Sequence, residues 1–135
     1  MNGNGGNWDG QGFEEMLFDY LDNGYLENIV TFFEHEQKEL PLIAKMLKDE
    51  RLRVRVGAIA ILESLKEKHP EKLKELSPLI VELLNSDERN IRGDAAYALE
   101  IIADPSTKQA LEDAFEREED EQVKEFIADA LRSLL

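Results

Sequence analysis

Apolar residues recur at intervals of three and four positions over most of this chain, in segments separated by short polar stretches. Across residues 79–102 the apolar positions with this spacing are Leu79, Ile80, Leu83, Leu84, Ile91, Ala95, Ala98, Leu99 and Ile102. Such spacing places side chains on one face of an α-helix, and the polar residues 85–88 divide the segment in two. The pattern therefore predicts two amphipathic helices joined by a turn. No segment shows the two-residue alternation between turn signals that predicts a β-strand.

This two-helix pattern occurs three times. Residues 41–65 align without a gap with residues 78–102, at an offset of 37, and residues 111–134 align with residues 79–102 at an offset of 32. Matching pairs at the first offset include Pro41 and Pro78, Leu47 and Leu84, Val54 and Ile91, Arg55 and Arg92, Ala58 and Ala95, and Leu62 and Leu99. One helix pair cannot bury its apolar face alone, so we expect the copies to stack on one another.

The repeated unit resembles the HEAT repeat, a unit of α-helical solenoids. The second copy carries the pattern at Pro78, Leu79, Ile80, Leu84, Asp87, Ile91, Arg92, Ala95, Ala98, Leu99 and Ile102. The resemblance implies an all-α fold, a right-handed α–α superhelix with about three helical hairpins and an N-terminal capping helix. The third copy lacks the proline and has Lys124 in place of the arginine, as expected of a degenerate terminal repeat.

The chain is expected to divide into a tail and one repeat domain. Residues 1–12 contain five glycines and three asparagines and cannot bury enough apolar surface to offset the entropy of ordering, so we expect a flexible tail. The domain should span residues 13–135, with a cap at 13–37 and repeats at about 38–69, 70–105 and 106–135. Within the cap, Asn23-Gly24 separates two apolar stripes that predict two helices.

Two further details concern the helices of the repeats. Pro41 and Pro78 lie inside the first helix of their copies and should bend it, because proline lacks a backbone N–H. Seven helices are expected, or eight if Pro41 breaks its helix. The helix from residue 52 to about residue 68 carries no charged side chain at residues 56–62. A helix that is apolar on several faces is flanked on both sides, which places this hairpin in the middle of the stack.

The 30 acidic and 16 basic residues give a formal net charge of −14. Because phosphate binding needs a basic surface, we expect nucleic acid to be excluded as a partner. Residues 1–40 carry a net charge of −8 and residues 41–75 a net charge of +3. The second segment holds a basic belt, defined as Lys45, Lys48, Arg51, Arg53 and Arg55. Solvated side chains, contact with another acidic protein and contact with the acidic N-terminal third of a second copy are the interpretations of this belt.

Catalytic chemistry has little support in the sequence. The chain contains no cysteine, so a disulfide, a thiolate nucleophile and a cysteine-ligated metal are excluded. No hydroxyl lies in a glycine-rich elbow and no phosphate-cradling loop occurs. We therefore expect no catalytic residue, no cofactor and no metal, and a chain that is not an enzyme. No apolar run approaches the ~18–20 residues of a membrane helix, and no export leader is present, so we expect a cytoplasmic protein without membrane contact.

An accessory enzyme is the alternative that the resemblance raises. Among HEAT-like proteins, deoxyhypusine hydroxylases hold a di-iron centre with His-Glu pairs, and a phycobilin lyase group shares the repeat. This chain has one such pair, at Glu34-His35-Glu36, and its other histidine is His69. A metal requires three or four convergent ligands, so a surface histidine is the favoured interpretation.

Three acid–base pairs share a spacing of five residues. They are Glu50 with Arg55, Asp87 with Arg92, and Glu119 with Lys124. We expect a structural ladder in which each base binds the turn acid of its own or the neighbouring hairpin through charge-assisted hydrogen bonds. An anion-binding ladder is the alternative.

These observations predict a non-catalytic protein-binding scaffold or adaptor. Stacked second helices would form a shallow face, and its candidate partner-contact residues are Arg92, Tyr97, Glu100, Asp129 and Arg132. On an acidic molecule, such a face should bind a protein with basic patches. A self-associating structural protein is a further alternative, with a homo-oligomer formed through the N-terminal aromatic cap. Phe18 and Phe32 lie beside the apolar stripes there, and they either widen the core of the cap, the favoured interpretation, or form an exposed patch for a partner.

Overall fold

The computed structural model describes residues 10–135, so Trp8 and most of the predicted tail lie outside the described residues. Nine α-helices occur within this range. They are α1 (Gly10–Asp22), α2 (Leu26–His35), α3 (Leu42–Met46), α4 (Leu52–Lys66), α5 (Pro70–Lys74), α6 (Ser77–Leu83), α7 (Arg89–Ile102), α8 (Lys108–Arg117) and α9 (Glu121–Arg132). Two short 3₁₀ turns, Gln37–Glu39 and Pro105–Thr107, precede α3 and α8. The described part contains no β-strand.

The helices form two layers. In one layer α1 packs against α4, α4 against α7, and α7 against α9. In the other, α2, α3 and α5 contact α4, α6 contacts α7, and α8 contacts α9. Three helical hairpins therefore stack in succession behind a two-helix cap, which confirms the predicted all-α HEAT-like solenoid. No helix within residues 10–135 is both long enough and apolar enough to cross a bilayer.

Helix α4 occupies the centre of the stack, as its apolar composition predicts. Val54, Ala58, Ile61 and Leu62 are completely buried between the neighbouring helices. Burial stabilises the fold by roughly 1.5–3 kcal/mol for each of the valine, isoleucine and leucine side chains. A stripe of apolar residues on the same helix nevertheless faces solvent, and this stripe belongs to the candidate site.

The two prolines break their helices rather than bend them. Pro41 occupies the N-cap position of α3, and Pro78 lies in the first turn of α6. Proline is tolerated there because the first N–H groups of a helix have no intrahelical partner, whereas in the interior its ring clashes with a preceding carbonyl. A 3₁₀ turn precedes Pro41, and the separate helix α5 precedes α6 with its Pro78, so the expected seven or eight helices are too few.

The first helix begins at Gly10, inside the predicted tail of residues 1–12. The N–H groups in the first turn of a helix have no intrahelical acceptor. Polar and glycine residues can therefore form the turn that precedes the apolar stripe starting at Phe13. Helix α1 ends before Asn23-Gly24 as expected, and Gly24 adopts a φ of +94°. That left-handed conformation suits glycine, which has no Cβ to clash.

Candidate functional site

One side of α4 presents apolar side chains to solvent. Leu52 is 64% exposed and Val56 is 58% exposed. Ala60 and Glu63 follow at intervals of four and three residues, so these four side chains share one face of the helix. Half-buried Tyr97 on α7 and exposed Gln122 on α9 contribute to the same surface. We call this surface the α4–α7–α9 face.

An apolar hollow lies on this face, between the α1–α2 turn and the first half of α4. It has a volume of about 280 Å³. Its lining residues are Leu21, Gly24, Leu26, Leu52, Arg53, Val56, Gly57 and Ala60. The glycines and the alanine leave room for the hollow, and the leucine and valine side chains form its aliphatic wall. The Nη1 atom of Arg53 donates to the backbone oxygen of Asp22 at 3.0 Å, so the one charged lining residue is engaged at the C-terminus of α1.

Aromatic side chains extend the apolar surface beside the hollow. Tyr20 and Tyr25 are 45% and 54% exposed, and their ring centroids lie 5.4 Å apart. Tyr25 immediately precedes Leu26 of the hollow. Among the described residues, the other exposed large apolar side chains outside this region are Leu79 and the terminal Leu135. Exposed apolar surface is thus concentrated at one place rather than scattered.

Tyr97 lies at the centre of the α4–α7–α9 face, between two carboxylates. Its hydroxyl donates to Oε2 of Glu63 at 3.5 Å, and its ring centroid lies 6.2 Å from that of Phe126 on α9. The Glu63 carboxylate, burial and the Glu100 carboxylate together raise the pKa of the Tyr97 hydroxyl. Within residues 10–135 neither glutamate forms an ion pair. The surface around Tyr97 therefore combines negative charge with two aromatic rings.

The structure brings together some of the predicted partner-contact residues but not all. Tyr97 and Glu100 share the electrostatic environment just described. On the last helix, Asp129 and Arg132 pair with each other one turn apart. Arg92 is bound between hairpins, so it contributes to the junction of repeats rather than to a free contact surface.

The ladder residues form contacts that differ from the predicted pairs. For Arg55, Nη1 donates to the backbone oxygens of Asp49 at 2.8 Å and Glu50 at 3.0 Å. Its Nε donates to Oδ2 of Asp94 on the next hairpin, at 3.2 Å. The turn acid Glu50 thus contributes its carbonyl, and the carboxylate partner comes from α7. Burial raises the pKa of Asp94 even though Arg55 opposes this shift.

Arg92 repeats this arrangement one hairpin later. Its Nη1 donates to the backbone oxygen of Ser86 at 2.9 Å, and its Nε and Nη2 donate to the two carboxylate oxygens of Glu118 at 2.9 Å each. Asp87, the turn acid of the same hairpin, is exposed, so Arg92 binds an acid in the turn of the neighbouring hairpin, the other alternative of the predicted ladder. These hydrogen bonds from Arg92 lower the pKa of Glu118, against the opposing effect of burial.

The third predicted pair is replaced by an aromatic contact. The Nζ atom of Lys124 lies 4.9 Å from the ring centroid of Phe115, a cation–π distance. Glu119 is exposed, and no ion pair joins it to Lys124 in the described part of the chain. A lysine has one compact charge and cannot span a turn carbonyl and a carboxylate as an arginine does, which explains why the third copy departs from the first two.

The cations of the basic belt are largely paired within the molecule. Lys45 binds Glu14 at 2.9 Å, and Arg51 binds Asp19 at 2.8 Å and Asp49 at 3.0 Å. The hydrogen bond from Arg51 lowers the pKa of Asp49. Contact between the belt and the acidic N-terminal third therefore occurs inside one chain. Lys48 is exposed and forms no ion pair within residues 10–135.

The two histidines occupy separate local environments. The Nδ1 atom of His35 lies 2.9 Å from the backbone oxygen of Thr31, and His69 faces the side-chain amide of Gln37 at 3.2 Å. Glu34 accepts from Lys68 at 3.3 Å. Within the described range, no three carboxylate or imidazole groups converge in a way that would hold a metal ion.

A family model described as HEAT repeats matches residues 39–132. The chain belongs to the HEAT-repeat family. This HEAT-repeat protein matches no curated protein. The family match confirms the resemblance to HEAT repeats that the residues of the repeat predicted, and it includes all three hairpins of the structure.

Two solved structures are similar to this HEAT-repeat protein. One is a crystal structure of epoxyqueuosine reductase with an epoxyqueuosine-modified tRNA-Tyr stem loop, at 25% identity and a TM-score of 0.55, covering 68% of this chain and 28% of that one. The other is selenomethionine-labelled epoxyqueuosine reductase, at 25% identity and a TM-score of 0.55, covering 69% and 28%. The HEAT-repeat protein thus spans less than a third of the length of these similar chains.

The exclusion of nucleic acid as a partner, inferred from the net charge, is wrong. A protein of similar fold is present with a tRNA stem loop in one of these structures. Net charge sums over the whole surface, whereas phosphate binding depends on the local potential of one face. A chain with a net charge of −14 can still carry a basic segment, as residues 41–75 do.

Sequence reasoning missed the apolar hollow and Glu118. The signal for the hollow is present, because Leu52 and Val56 share a helix face with Glu63 and therefore cannot all point into the core. Glu118 is adjacent to Glu119, the residue that aligns with Asp87. Alignment of the repeats therefore points to Glu119, whereas in the structure Arg92 binds the adjacent Glu118.

Proposed function

We propose that this HEAT-repeat protein is a non-catalytic scaffold or adaptor that binds a partner protein on the α4–α7–α9 face. The observation that carries the proposal is the clustering of exposed Leu52 and Val56 around the apolar hollow. Isolated exposed apolar residues are ordinary, but contiguous apolar patches mark interaction sites. Covering these side chains would remove apolar surface from water at roughly 25 cal/mol per Å².

The remainder of the face supports the same role. Tyr97 offers a large, rigid side chain with a polar end, the type of residue that anchors protein interfaces. Glu63 and Glu100 supply charge around it without internal cation partners in the described part of the chain. An aromatic centre with a charged surround provides both contact area and orientation for a docked protein.

The experiment is site-specific photo-cross-linking in the native cell. A photoreactive residue at Gln122, which lines the groove between α7 and α9, should couple to a protein. The same residue at Leu79, which is exposed on α6 in the other layer, is the matched control and should give a much lower yield. Equal yields at the two positions, or none at Gln122, would contradict the proposal.

An RNA stem loop is a second candidate partner, favoured by the similarity to a reductase structure that contains one. Lys48 in the basic belt is the residue that we would place against phosphate. The proposal predicts that a labelled tRNA stem loop binds, that added salt weakens binding steeply, and that Lys48→Glu removes it. Lys108→Glu, at an exposed lysine of α8, is the control. Cross-links at Gln122 that nuclease rather than protease removes would favour this candidate over the scaffold.

A further inference from the structure

We propose that the apolar hollow binds one large apolar side chain of a cationic amphipathic helix in the partner protein, and that Glu63 and Tyr97 bind a lysine or arginine of the same helix. The inference rests on the proposed scaffold function and specifies the chemistry of the partner. It draws on the shape of the hollow, the charge around it and the spacing along α4.

The shape of the hollow suits an inserted side chain. Gly24, Gly57 and Ala60 contribute little or no side chain, so the cavity between Leu21 and Val56 is open to solvent over an aliphatic floor. A Cβ atom on Gly57 would lie 2.9 Å from Cδ2 of Leu21. The glycine therefore lets α1 approach α4 closely, and the hollow is the space left beside that close contact.

The charge around the hollow favours a cationic occupant. Carboxylates of Asp22, Glu27 and Glu63 belong to α1, α2 and α4, the helices that border it. The guanidinium of Arg53 lines the hollow and donates to a neutral backbone oxygen, so it keeps its positive charge but is outnumbered by these carboxylates. The local excess of carboxylates would repel the phosphates of a nucleic acid and attract a basic segment.

The backbone of the surface favours a helix over an extended segment. An extended peptide gains affinity from main-chain hydrogen bonds to a strand edge, and the described part of this chain has no strand. A helix satisfies its own backbone groups and needs only a groove for its side chains. Helix α4, flanked by α1 and α7, supplies the floor of such a groove.

The spacing of the two contact points matches two turns of a helix. Val56 and Glu63 are seven residues apart on one face of α4, which corresponds to about 10 Å along its axis. A partner helix lying along α4 would place residues separated by two turns at the hollow and at Glu63. There the cation would meet a carboxylate and the face of the Tyr97 ring, which attract it together.

The test uses the full chain and a dye-labelled synthetic peptide with leucines on one helical face and lysines on the other, followed by fluorescence anisotropy. Val56→Ser and Leu52→Ser should each weaken binding roughly tenfold, because a docked apolar side chain loses its contact surface. Leu79→Ser changes a similarly exposed apolar residue elsewhere and should leave affinity within about twofold. Circular dichroism checks that each variant keeps its helical content.

The charge contact has its own pair of variants. Glu63→Gln should weaken binding of the peptide and flatten its salt dependence, because one ion pair is removed. Glu112→Gln, at an exposed acid of α8, should change neither. A peptide with glutamates in place of the lysines should not bind to the wild-type chain.

The following results would overturn the inference or assign the hollow to a different occupant. An unchanged affinity of Val56→Ser, or no binding of the leucine–lysine peptide to wild type, overturns the inference; the scaffold function stands if Gln122 still cross-links to a protein. Light scattering that shows a dimer lost in Val56→Ser would assign the hollow to a second copy. A labelled tRNA stem loop whose binding Val56→Ser abolishes would assign it to nucleic acid.

Discussion

Arg92 and Glu118 form a doubly hydrogen-bonded ion pair across the junction of the second and third hairpins. Both N–O distances are 2.9 Å, and the Glu118 side chain is only 5% exposed. Because Arg92 also donates to the backbone oxygen of Ser86, one guanidinium joins the α6–α7 turn to the α8–α9 turn. The pair therefore acts on the stacking of repeats, and Arg55 occupies the equivalent place one junction earlier.

Replacement of Glu118 by glutamine should destabilise the fold. The variant keeps the shape of the side chain but loses the charge and places an amide N–H₂ against the guanidinium. Leaving a mostly buried Arg92 without its carboxylate should lower the free energy of unfolding by about 1–3 kcal/mol. Urea denaturation monitored by circular dichroism measures this change.

Glu119→Gln is the matched control for that variant. Glu119 is the adjacent residue of the same turn, has the same chemistry and is exposed. Surface substitutions of this kind stay within about 0.5 kcal/mol. If the two variants lose equal stability, the ion pair does not stabilise the junction.

The same carboxylate makes stability depend on pH. Hydrogen bonds from Arg92 lower the pKa of Glu118 below its ordinary 4.5, and a hydrogen bond from Arg89 lowers the pKa of Asp120 to about 2. Because both folded values lie below the unfolded ones, the unfolded chain binds more protons in acid. The stabilisation is complete above about pH 5 and is lost progressively as the pH falls toward about 2.

Unfolding curves across this range check the effect for Glu118. The difference in stability between wild type and Glu118→Gln should be largest near neutral pH and should narrow as the pH falls, since protonation removes from the wild type what the variant already lacks. A difference that stays constant from about pH 6 to about pH 3 would contradict the assignment.

The sequence predicts the repeats well because their signals are local. Spacing along one helix determines which side chains are buried, so Val54, Ala58, Leu62 and their equivalents can be identified without a structure. The proline positions were also visible, but whether Pro41 bends or breaks its helix depends on the packing of the residues around it. Local pattern gives the existence of an element more reliably than its ends.

The contacts between repeats depend on how one hairpin packs on the next, which no local pattern contains. Arg92 reaches Glu118, 26 residues ahead, and Arg55 reaches Asp94, 39 residues ahead. These partners are set by the rise and rotation from one hairpin to the next. The spacing along α4 indicates that Leu52 and Val56 face solvent, but the hollow beside them forms only because Leu21 and Gly57 from different helices meet.

The two helical glycines at repeat junctions should respond differently to alanine. Alanine is favoured over glycine in a helix by about 1 kcal/mol. At Gly93 the new Cβ would lie 3.5 Å from Phe126, an ordinary contact, whereas at Gly57 it would lie 2.9 Å from Leu21. We expect Gly93→Ala to raise the free energy of unfolding by up to about 1 kcal/mol, and Gly57→Ala to be less stable than Gly93→Ala by about 1–2 kcal/mol because Leu21 must move.

Thermal or urea unfolding of the two variants in parallel tests this expectation. Each acts as the control for the other, since the substitution and the helical setting are the same. Equal stability changes would show that Leu21 moves without cost and that the contact between α1 and α4 is looser than its geometry indicates.

Ala103 ends α7 in a conformation that glycine adopts more readily. Its φ is +52° and its ψ is +48°, and its N–H donates to the backbone oxygen of Leu99 at 2.9 Å. The left-handed conformation costs a residue with a Cβ atom about 1–2 kcal/mol. Glycine avoids this cost, but it loses more conformational entropy on folding, which offsets part of the gain. Ala103→Gly should therefore raise the free energy of unfolding by up to about 1 kcal/mol. Ala128→Gly, inside α9, should lower it by about 1 kcal/mol. Opposite signs for one substitution isolate the effect of backbone conformation, and a loss of stability in both variants would show that Ala103 is not strained.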